Sequence, residues 1–392
     1  MHYVGLACLI VAMVATWLLT PLTIRLARWL GVVDQPGERK VHRAPVPRIG
    51  GVAVFGGFLA GLLFAAWATD NLPQPGQVDV YWGGLALAAT AVLLVGLADD
   101  LWGLAFYWKF AGQILAAVFV WFCGFSIEVL SHPLGGALEL GVLSLPLTVL
   151  WIVAITNAVN LIDGLDGLAT GIALITAGAV AVIAFIRAEL GVTAASVALA
   201  GSLLGFLRYN FNPARIFLGD SGSMFLGFVL AVTAVRGSQK GPTAVALLVP
   251  LLVLGLPLLD TSVAVARRLY RLGHRGARTD GALRYVFANL REVFLPDRGH
   301  IHHRLLEIGL SHRRAVVVLY GLGSLFALTA FALVLLKSVW IAMVLLAVLG
   351  TLLAVFYLAL YLRIRRLQAT GQRCAGHGAE PFAATRSPSQ AR

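Results

Sequence analysis

Apolar residues run along this chain in long blocks separated by short polar breaks. A bilayer core takes roughly 20 apolar residues per spanning helix. The blocks therefore predict eleven spans, at about 3–24, 50–69, 81–98, 109–126, 142–159, 168–186, 193–209, 221–236, 243–263, 315–336 and 339–362. An odd number of spans puts the two termini on opposite sides. The first block carries Arg25 and Arg28 after its apolar stretch and no basic residues before it, so it reads as an uncleaved span, not a signal peptide. After Leu367 the helical period ends, and the Ala-, Gly-, Ser-, Pro- and Arg-rich tail 367–392 is expected to be disordered.

Composition agrees with this pattern. Of 392 residues 59% are hydrophobic and only 12% charged, and the mean hydropathy is +0.86, which fits no water-soluble class. Cys8, Cys123 and Cys374 have neither metal-type nor redox-type spacing, so neither a disulfide framework nor a zinc site is implied. The expected fold is an all-α polytopic integral membrane protein with one transmembrane domain over 1–366. Its cytoplasmic loops fall near 25–49, 99–109, 157–170, 208–220 and 264–315. With the N-terminus outside and the C-terminus in the cytoplasm, 26 of the 30 Lys and Arg residues fall inside. The net charge of +12 is then mainly a topology signal with anionic-lipid contact, and no nucleic-acid partner is expected.

The carboxylates carry the chemistry. Asp99, Asp100, Asp163, Asp166, Asp220 and Asp260 sit at the margins of apolar blocks, where each charge costs a few kcal/mol unless paired or hydrated. Capping or snorkelling explains any one of them, and Asp260 in particular, but not the set. Asp99-Asp100 closes the third span, and a vicinal pair can share a divalent cation or divide metal and proton between them. Asn157, Asn160, Asp163 and Asp166 recur at every third position, an oxygen-rich stripe on a helix, with Gly164 and Gly167 open to a phosphate. The spacing fails the calcium-loop pattern. In Asn210-Phe211-Asn212-Pro213-Ala214-Arg215-Ile216-Phe217-Leu218-Gly219-Asp220-Ser221-Gly222-Ser223, Asp220 at a helix start suits a magnesium ion bridged to phosphates. The string Arg298-Gly299-His300-Ile301-His302-His303-Arg304 offers the opposite sign and suits a diphosphate better than a metal. Upstream of it, Leu283, Val286, Phe287, Leu290, Val293 and Phe294 form an amphipathic stretch that lies at headgroup level or packs as a cytoplasmic helix. The loop after the first span, Asp34 to Gly51, is basic and stiffened by prolines.

Together these strings resemble the polyprenyl-phosphate N-acetylhexosamine-1-phosphate transferase family, glycosyltransferase family 4, over about residues 1–340. RKVHRAPVPRIGG, the Asp pair, NAVNLIDGLDGLA, FNPARIFLGDSGS, PLLDTSVAVARR and HIHHRL occur in the family's order. His302-His303, preceded by His300-Ile301 and followed by Arg304-Leu305, resembles the branch that transfers N-acetylglucosamine-1-phosphate more than the muramoyl-pentapeptide branch. The stretch from about 274 to 294 is longer than expected for that loop.

The resemblance implies attack by undecaprenyl phosphate on the β-phosphorus of a UDP-N-acetylhexosamine, releasing UMP at the cytoplasmic face of a bacterial inner membrane. The product would begin an O-antigen, teichoic acid or capsule polysaccharide. It implies Mg2+, with Mn2+ able to substitute, on Asp220 and Asn160. Its catalytic set is Asp99, Asp100, Asp163, Asp166 and His302, with Asp99 toward the lipid phosphate and Asp100 near the metal. Lys109, Asn157, Asn210, His303 and Arg304 would bind substrate, and Lys40 and His42 would position the first loop. A homodimer is compatible with the sequence. The alternatives are another UDP-N-acetylhexosamine or the muramoyl-pentapeptide as donor and, outside enzymes, an ion-coupled transporter or flippase, which would place its acidic residues near the bilayer midplane. A CDP-alcohol phosphotransferase signature is absent, because Asp166-Gly167 runs on into Leu168-Ala169-Thr170.

Overall fold

The computed structural model describes residues 2–35, 44–70, 80–131, 137–236, 245–276, 300–336 and 338–376. Each apolar block folds as helix: α1 (His2–Trp29), α2 (Gly50–Asp70), α3 (Val80–Trp102), α4 (Phe106–Phe122), α5 (Ser144–Ile162), α6 (Leu168–Ile186), α7 (Leu190–Asn210), α8 (Gly219–Arg236), α9 (Val245–Val253) with α10 (Gly255–Gly276), α12 (His312–Leu336) and α13 (Val339–Gly376). A short α11 (Ile301–Glu307) precedes α12. Among the described residues, eight helices are long and apolar enough to cross a membrane by length and composition: α1, α2, α3, α5, α6, α7, α12 and α13. The chain is a multi-pass membrane protein. α4 is 17 residues long, and α8 opens on a polar turn, Gly219-Asp220-Ser221-Gly222-Ser223. α13 runs on to Gly376, past Leu367. The rest of the tail, Lys40, His42 and most of the 274–294 stretch lie outside the described residues.

The ninth block departs from a single span. It breaks at Leu254, between α9 and α10, because Pro257 has no N–H to give the carbonyl of Val253, its partner four residues back in a continuous helix. The Thr176 hydroxyl donates to that carbonyl instead, at 3.2 Å, as a freed backbone group within a bilayer requires.

α8 is the hub. Every residue from Ser221 to Val235 is buried, and the helix packs against α2, α3 and α5. Such close approach needs small residues. A Cβ on Gly51 would lie 2.2 Å from the Gly222 nitrogen, and one on Gly96 would lie 2.5 Å from the Asp220 carbonyl oxygen.

The start of α8 is built from distant parts of the chain. Gly219 has φ +76°, and a Cβ there would meet the Arg48 carbonyl oxygen at 1.9 Å and Asp100 Oδ2 at 2.6 Å, so only glycine fits. Asp100, buried at the end of α3, accepts the N–H of Asp220 on Oδ1 and the N–H of Ser221 on Oδ2, both at 3.0 Å. These are two of the amide groups that a helix N-terminus leaves unbonded. The first loop straps the same segment. Strands β1 (Val33–Asp34) and β2 (Val46–Pro47) pair antiparallel, Phe217 N–H donates to the Pro47 carbonyl at 2.7 Å, and Gly50 and Gly51 N–H donate to the carbonyls of Phe217 and Leu218. The prolines and glycines of that loop thus set the entry to α8.

Two outcomes follow. Asp100→Asn exchanges one accepting oxygen for an NH2 group that cannot accept, and should cost about 1–3 kcal/mol, seen as a lower thermal midpoint in detergent; a midpoint equal to wild type would contradict the cap. Gly51→Val, which meets backbone and has no room to repack, should lose folded yield or thermal stability by roughly 1–3 kcal/mol or more. Gly83→Ala, where a Cβ meets nothing within 4 Å, should not.

Candidate active site

One end of the bundle gathers the polar ends of α3, α5 and α7 and the starts of α4, α6, α8, α11 and α12 around a cleft of about 480 Å³. Its lining includes Asp34, Arg48, Asp100, Asn160, Asp163, Asp166, Asn210, Asn212, Asp220, His303 and His312. At its edge Lys109, from the first turn of α4, donates to Asp99 Oδ2 at 2.9 Å and Asp220 Oδ2 at 3.0 Å. A half-buried ammonium thus bridges two carboxylates from different helices, which lowers the charge each must carry out of water. Beside it, Phe106, Tyr107 and Trp108 are all more than half exposed, as in the aromatic belts that mark headgroup level.

Asp220 takes a second donor. Asn160 Nδ2 lies 3.2 Å from Asp220 Oδ1 and 2.8 Å from Ser223 Oγ. The Ser223 hydroxyl donates to the Gly219 carbonyl at 3.0 Å, so toward Asn160 it acts as acceptor. That fixes the amide: its nitrogen points at Asp220 and Ser223, and its oxygen is left over. Asp163 follows α5 directly, and burial, with the carboxylates of Asp220, Asp100 and Asp166 adding, pushes its carboxyl up to about 8.

Among the described residues no three His, Cys, Asp or Glu side chains form a metal cage. A set of one or two carboxylates plus an amide oxygen is what magnesium uses when phosphates and water complete its shell, so Asp220, Asp163 and Asn160 fit that ion.

Other expected residues are brought close but given different work. Asp100 lies at the cleft with both carboxylate oxygens engaged in capping α8, which presents Asp220. Asn210 is buried, donating to the Ile216 carbonyl at 3.0 Å and accepting from the Thr170 hydroxyl at 2.7 Å; it shapes the loop ahead of Phe217. Asn157 donates to Gln113 Oε1 at 2.6 Å and to the Val153 carbonyl, tying α5 to α4 one turn deeper than Lys109. Asp166 holds the two loops together, accepting from Asn212 Nδ2 at 2.9 Å and Ala214 N–H at 3.0 Å.

The histidine string divides in the same way. His302, expected to touch substrate, is 2% exposed and packs against Gly164, where a Cβ would lie 2.5 Å from its Nε2. Burial holds its pKa down to about 3, with the neighbouring His303, His300 and His312 adding and Asp260 opposing. Burial thus favours its neutral imidazole, and the next residue, His303, lines the cleft. Arg304, like Arg267, acts electrostatically on Tyr357 of α13 and is not among the cleft's described lining. Asp260 anchors the string: His300 Nδ1 stands 2.9 Å from Oδ2, and Ile301 N–H donates to Oδ1 at 2.8 Å.

Sequence patterns did not single out Arg48, Gln113, Asn212 or His312. His312 Nε2 accepts the Asp166 N–H at 2.9 Å, and Tyr320 OH donates to the Gly167 carbonyl at 2.5 Å, so α12 clasps the Asp163–Gly167 turn from outside. Only three-dimensional proximity reveals these partners, since 146 residues separate Asp166 from His312.

Comparison with known proteins follows the same residues. The model of the family described as Glycosyl transferase family 4 matches residues 82–238, the interval from α3 to the end of α8 that carries Asp99 through Asp220. The chain is 37% identical over 337 residues to the probable undecaprenyl-phosphate N-acetylglucosaminyl 1-phosphate transferase of Bacillus subtilis, covering 85% of this chain and 86% of that protein. It is 40% identical over 336 residues to the decaprenyl-phosphate N-acetylglucosaminephosphotransferase of Mycobacterium tuberculosis, covering 79% and 77%. It is 29% identical over 352 residues to the phospho-N-acetylmuramoyl-pentapeptide-transferase of Halalkalibacterium halodurans, covering 86% and 98%. With carboxylates, amide and lysine gathered at the start of α8 and similarity running across most of its length, the chain belongs to glycosyl transferase family 4.

Proposed function

We propose that the protein transfers N-acetylglucosamine-1-phosphate from its UDP-sugar to a polyprenyl phosphate, undecaprenyl phosphate in a bacterial cytoplasmic membrane, and releases UMP. The observation that carries this is the meeting, at the start of α8, of a hard-oxygen set (Asp220, Asp163, Asn160) with the Asp99–Lys109 pair beside the aromatic belt. The higher identity to the two N-acetylglucosamine-phosphate transferases than to the muramoyl-pentapeptide enzyme favours that sugar. The product would begin a cell-surface polysaccharide. The site end is also the end where Arg25, Arg28, Arg208 and Arg215 lie, which supports a cytoplasmic active site.

In the reaction a phosphate oxygen of the lipid attacks the β-phosphorus of the donor. A P–O bond forms there, and the bond to the bridging oxygen breaks, its electron pair leaving with UMP. Both reactants are anions, so positioning and charge neutralisation carry most of the catalysis. Lys109 stands where a lipid phosphate arrives at headgroup level and offers it a cation. Asp99, hydrogen-bonded to that ammonium, orients it. A phosphate monoester has its second pKa near about 6, so the nucleophile is largely ionised near neutral pH and Asp99 need not take a proton. Asp220, Asn160 and Asp163 would hold Mg2+, which supplies Lewis-acid charge to the donor diphosphate. His303 and His312 border the cytoplasmic part of the cleft, where the nucleotide enters. A transporter would place its carboxylates near mid-bilayer, whereas these lie at helix ends.

Purified protein in detergent, given undecaprenyl phosphate, Mg2+ and a panel of UDP-N-acetylhexosamines, should release UMP with UDP-N-acetylglucosamine and stop when EDTA is added. Asp220→Asn should lower the rate by about a hundredfold or more while keeping the wild-type thermal midpoint within a few degrees. Metal-independent turnover, or near-normal turnover by Asp220→Asn, would overturn the assignment.

A further inference from the structure

The cleft is acidic, yet the proposed reaction brings two anions into it. Asp34, Asp100, Asp163, Asp166 and Asp220 line it, and among the described residues Arg48 is the one Lys or Arg in the lining. Lys109 is already committed to Asp99 and Asp220. The Arg48 guanidinium is different. Its single side-chain hydrogen bond among the described residues runs from one Nη to the Asp100 main-chain carbonyl at 2.6 Å. A guanidinium has five N–H donors, so the remaining donors have no protein acceptor there, and none of its nitrogens is a sealed, unbonded buried atom.

Its place is also fixed. Arg48 N–H donates to the Val32 carbonyl at 3.3 Å, the adjacent Pro47 carbonyl takes the Phe217 N–H, and the Arg48 carbonyl stands where a Cβ of Gly219 would be. The backbone of Arg48 is therefore packed on the residue before Asp220. A planar fork of free donors, tethered at one corner and set beside the positive end of an 18-residue helix, suits bidentate contact with phosphate oxygens.

We infer that Arg48 is a substrate-contacting residue that binds the diphosphate of the nucleotide donor. The donor is chosen over the lipid acceptor by position. The acceptor phosphate is confined to the headgroup plane, where Lys109 follows the exposed Phe106, Tyr107 and Trp108. Arg48 lines the cleft itself together with Asp34, Asn212, His303 and His312, whereas Lys109 is not among its described lining residues. The inference rests on the proposed transfer reaction. It adds to that reaction a cation from the first loop, outside the interval 82–238 matched by the family model.

The test is steady-state UMP release by wild type, Arg48→Lys and Arg48→Gln, varying donor and acceptor separately, with product inhibition by UMP. Arg48→Lys keeps the charge but loses the fork. Donor KM should rise about tenfold or more in Arg48→Lys and further in Arg48→Gln, UMP inhibition should weaken in parallel, and acceptor KM should stay within about twofold. Thermal midpoints measured alongside separate a fallen fold from a lost contact. If both variants keep wild-type donor KM and UMP inhibition, or if the acceptor KM moves instead, Arg48 does not bind the donor diphosphate. If the midpoint falls while donor KM holds, its role is confined to the Asp100 tether. Wild type that releases no UMP with any donor would remove the transfer reaction itself, an outcome distinct from active wild type with unaffected variants.

Discussion

The structure depends on how α8 begins. A helix surrounded by protein must still satisfy its first amide groups, and here the carboxylate of Asp100 accepts two of them at 3.0 Å. That bond joins the end of α3 to the start of α8, and Gly219 and the first-loop strap close the third side. Asp220, the first residue after Gly219, is thereby held at a helix N-terminus whose partial positive charge favours anions. The same cap explains why two adjacent carboxylates can coexist at the end of α3. Asp100 is compensated by backbone dipoles and Asp99 by the Lys109 ammonium, so they are neighbours in sequence with separate partners.

Charge balance then sets what the cleft can do. Among the described lining residues carboxylates outnumber fixed cations, and burial, with three neighbouring carboxylates adding, pushes the Asp163 carboxyl up to about 8. Such a site favours a divalent cation, and with that cation, an anionic ligand. The division of labour follows from geometry. In the proposed reaction the Lys109 cation at headgroup level would meet the membrane-bound reactant, and the open cleft with its tethered guanidinium and imidazoles would take the soluble one. The Asp166 and His312 contacts hold the two loops against each other.

Much of this was legible in the sequence, for identifiable reasons. Helices in lipid must satisfy their own backbone and be apolar over a fixed length, so every block became helix. The exception, the break at Leu254, was written as Pro257 but needed Thr176, 77 residues away from Val253, to be tolerated. Carboxylates at apolar margins stood out because they are costly, and Asp99, Asp163 and Asp220 do converge. What the sequence could not give was which of two similar neighbours does which task. Asp99 and Asp100 differ only in direction around a helix, and His302 and His303 only in which side of α11 they occupy. Arg48 was hidden for the opposite reason: it is one of many basic residues at that end, and only its tether to Asp100, with donors to spare at the cleft, distinguishes it.

The central claim is that Asp220, presented by the capped start of α8, is where divalent cation and donor diphosphate meet. The most direct measurement is the anomalous density of Mn2+ in the protein bound to UDP. One peak within coordination distance of Asp220, touching the diphosphate and flanked by Asn160 or Asp163, is the predicted result. A peak on the His302–His303 string, or a diphosphate bound with no ion near Asp220, would contradict the account.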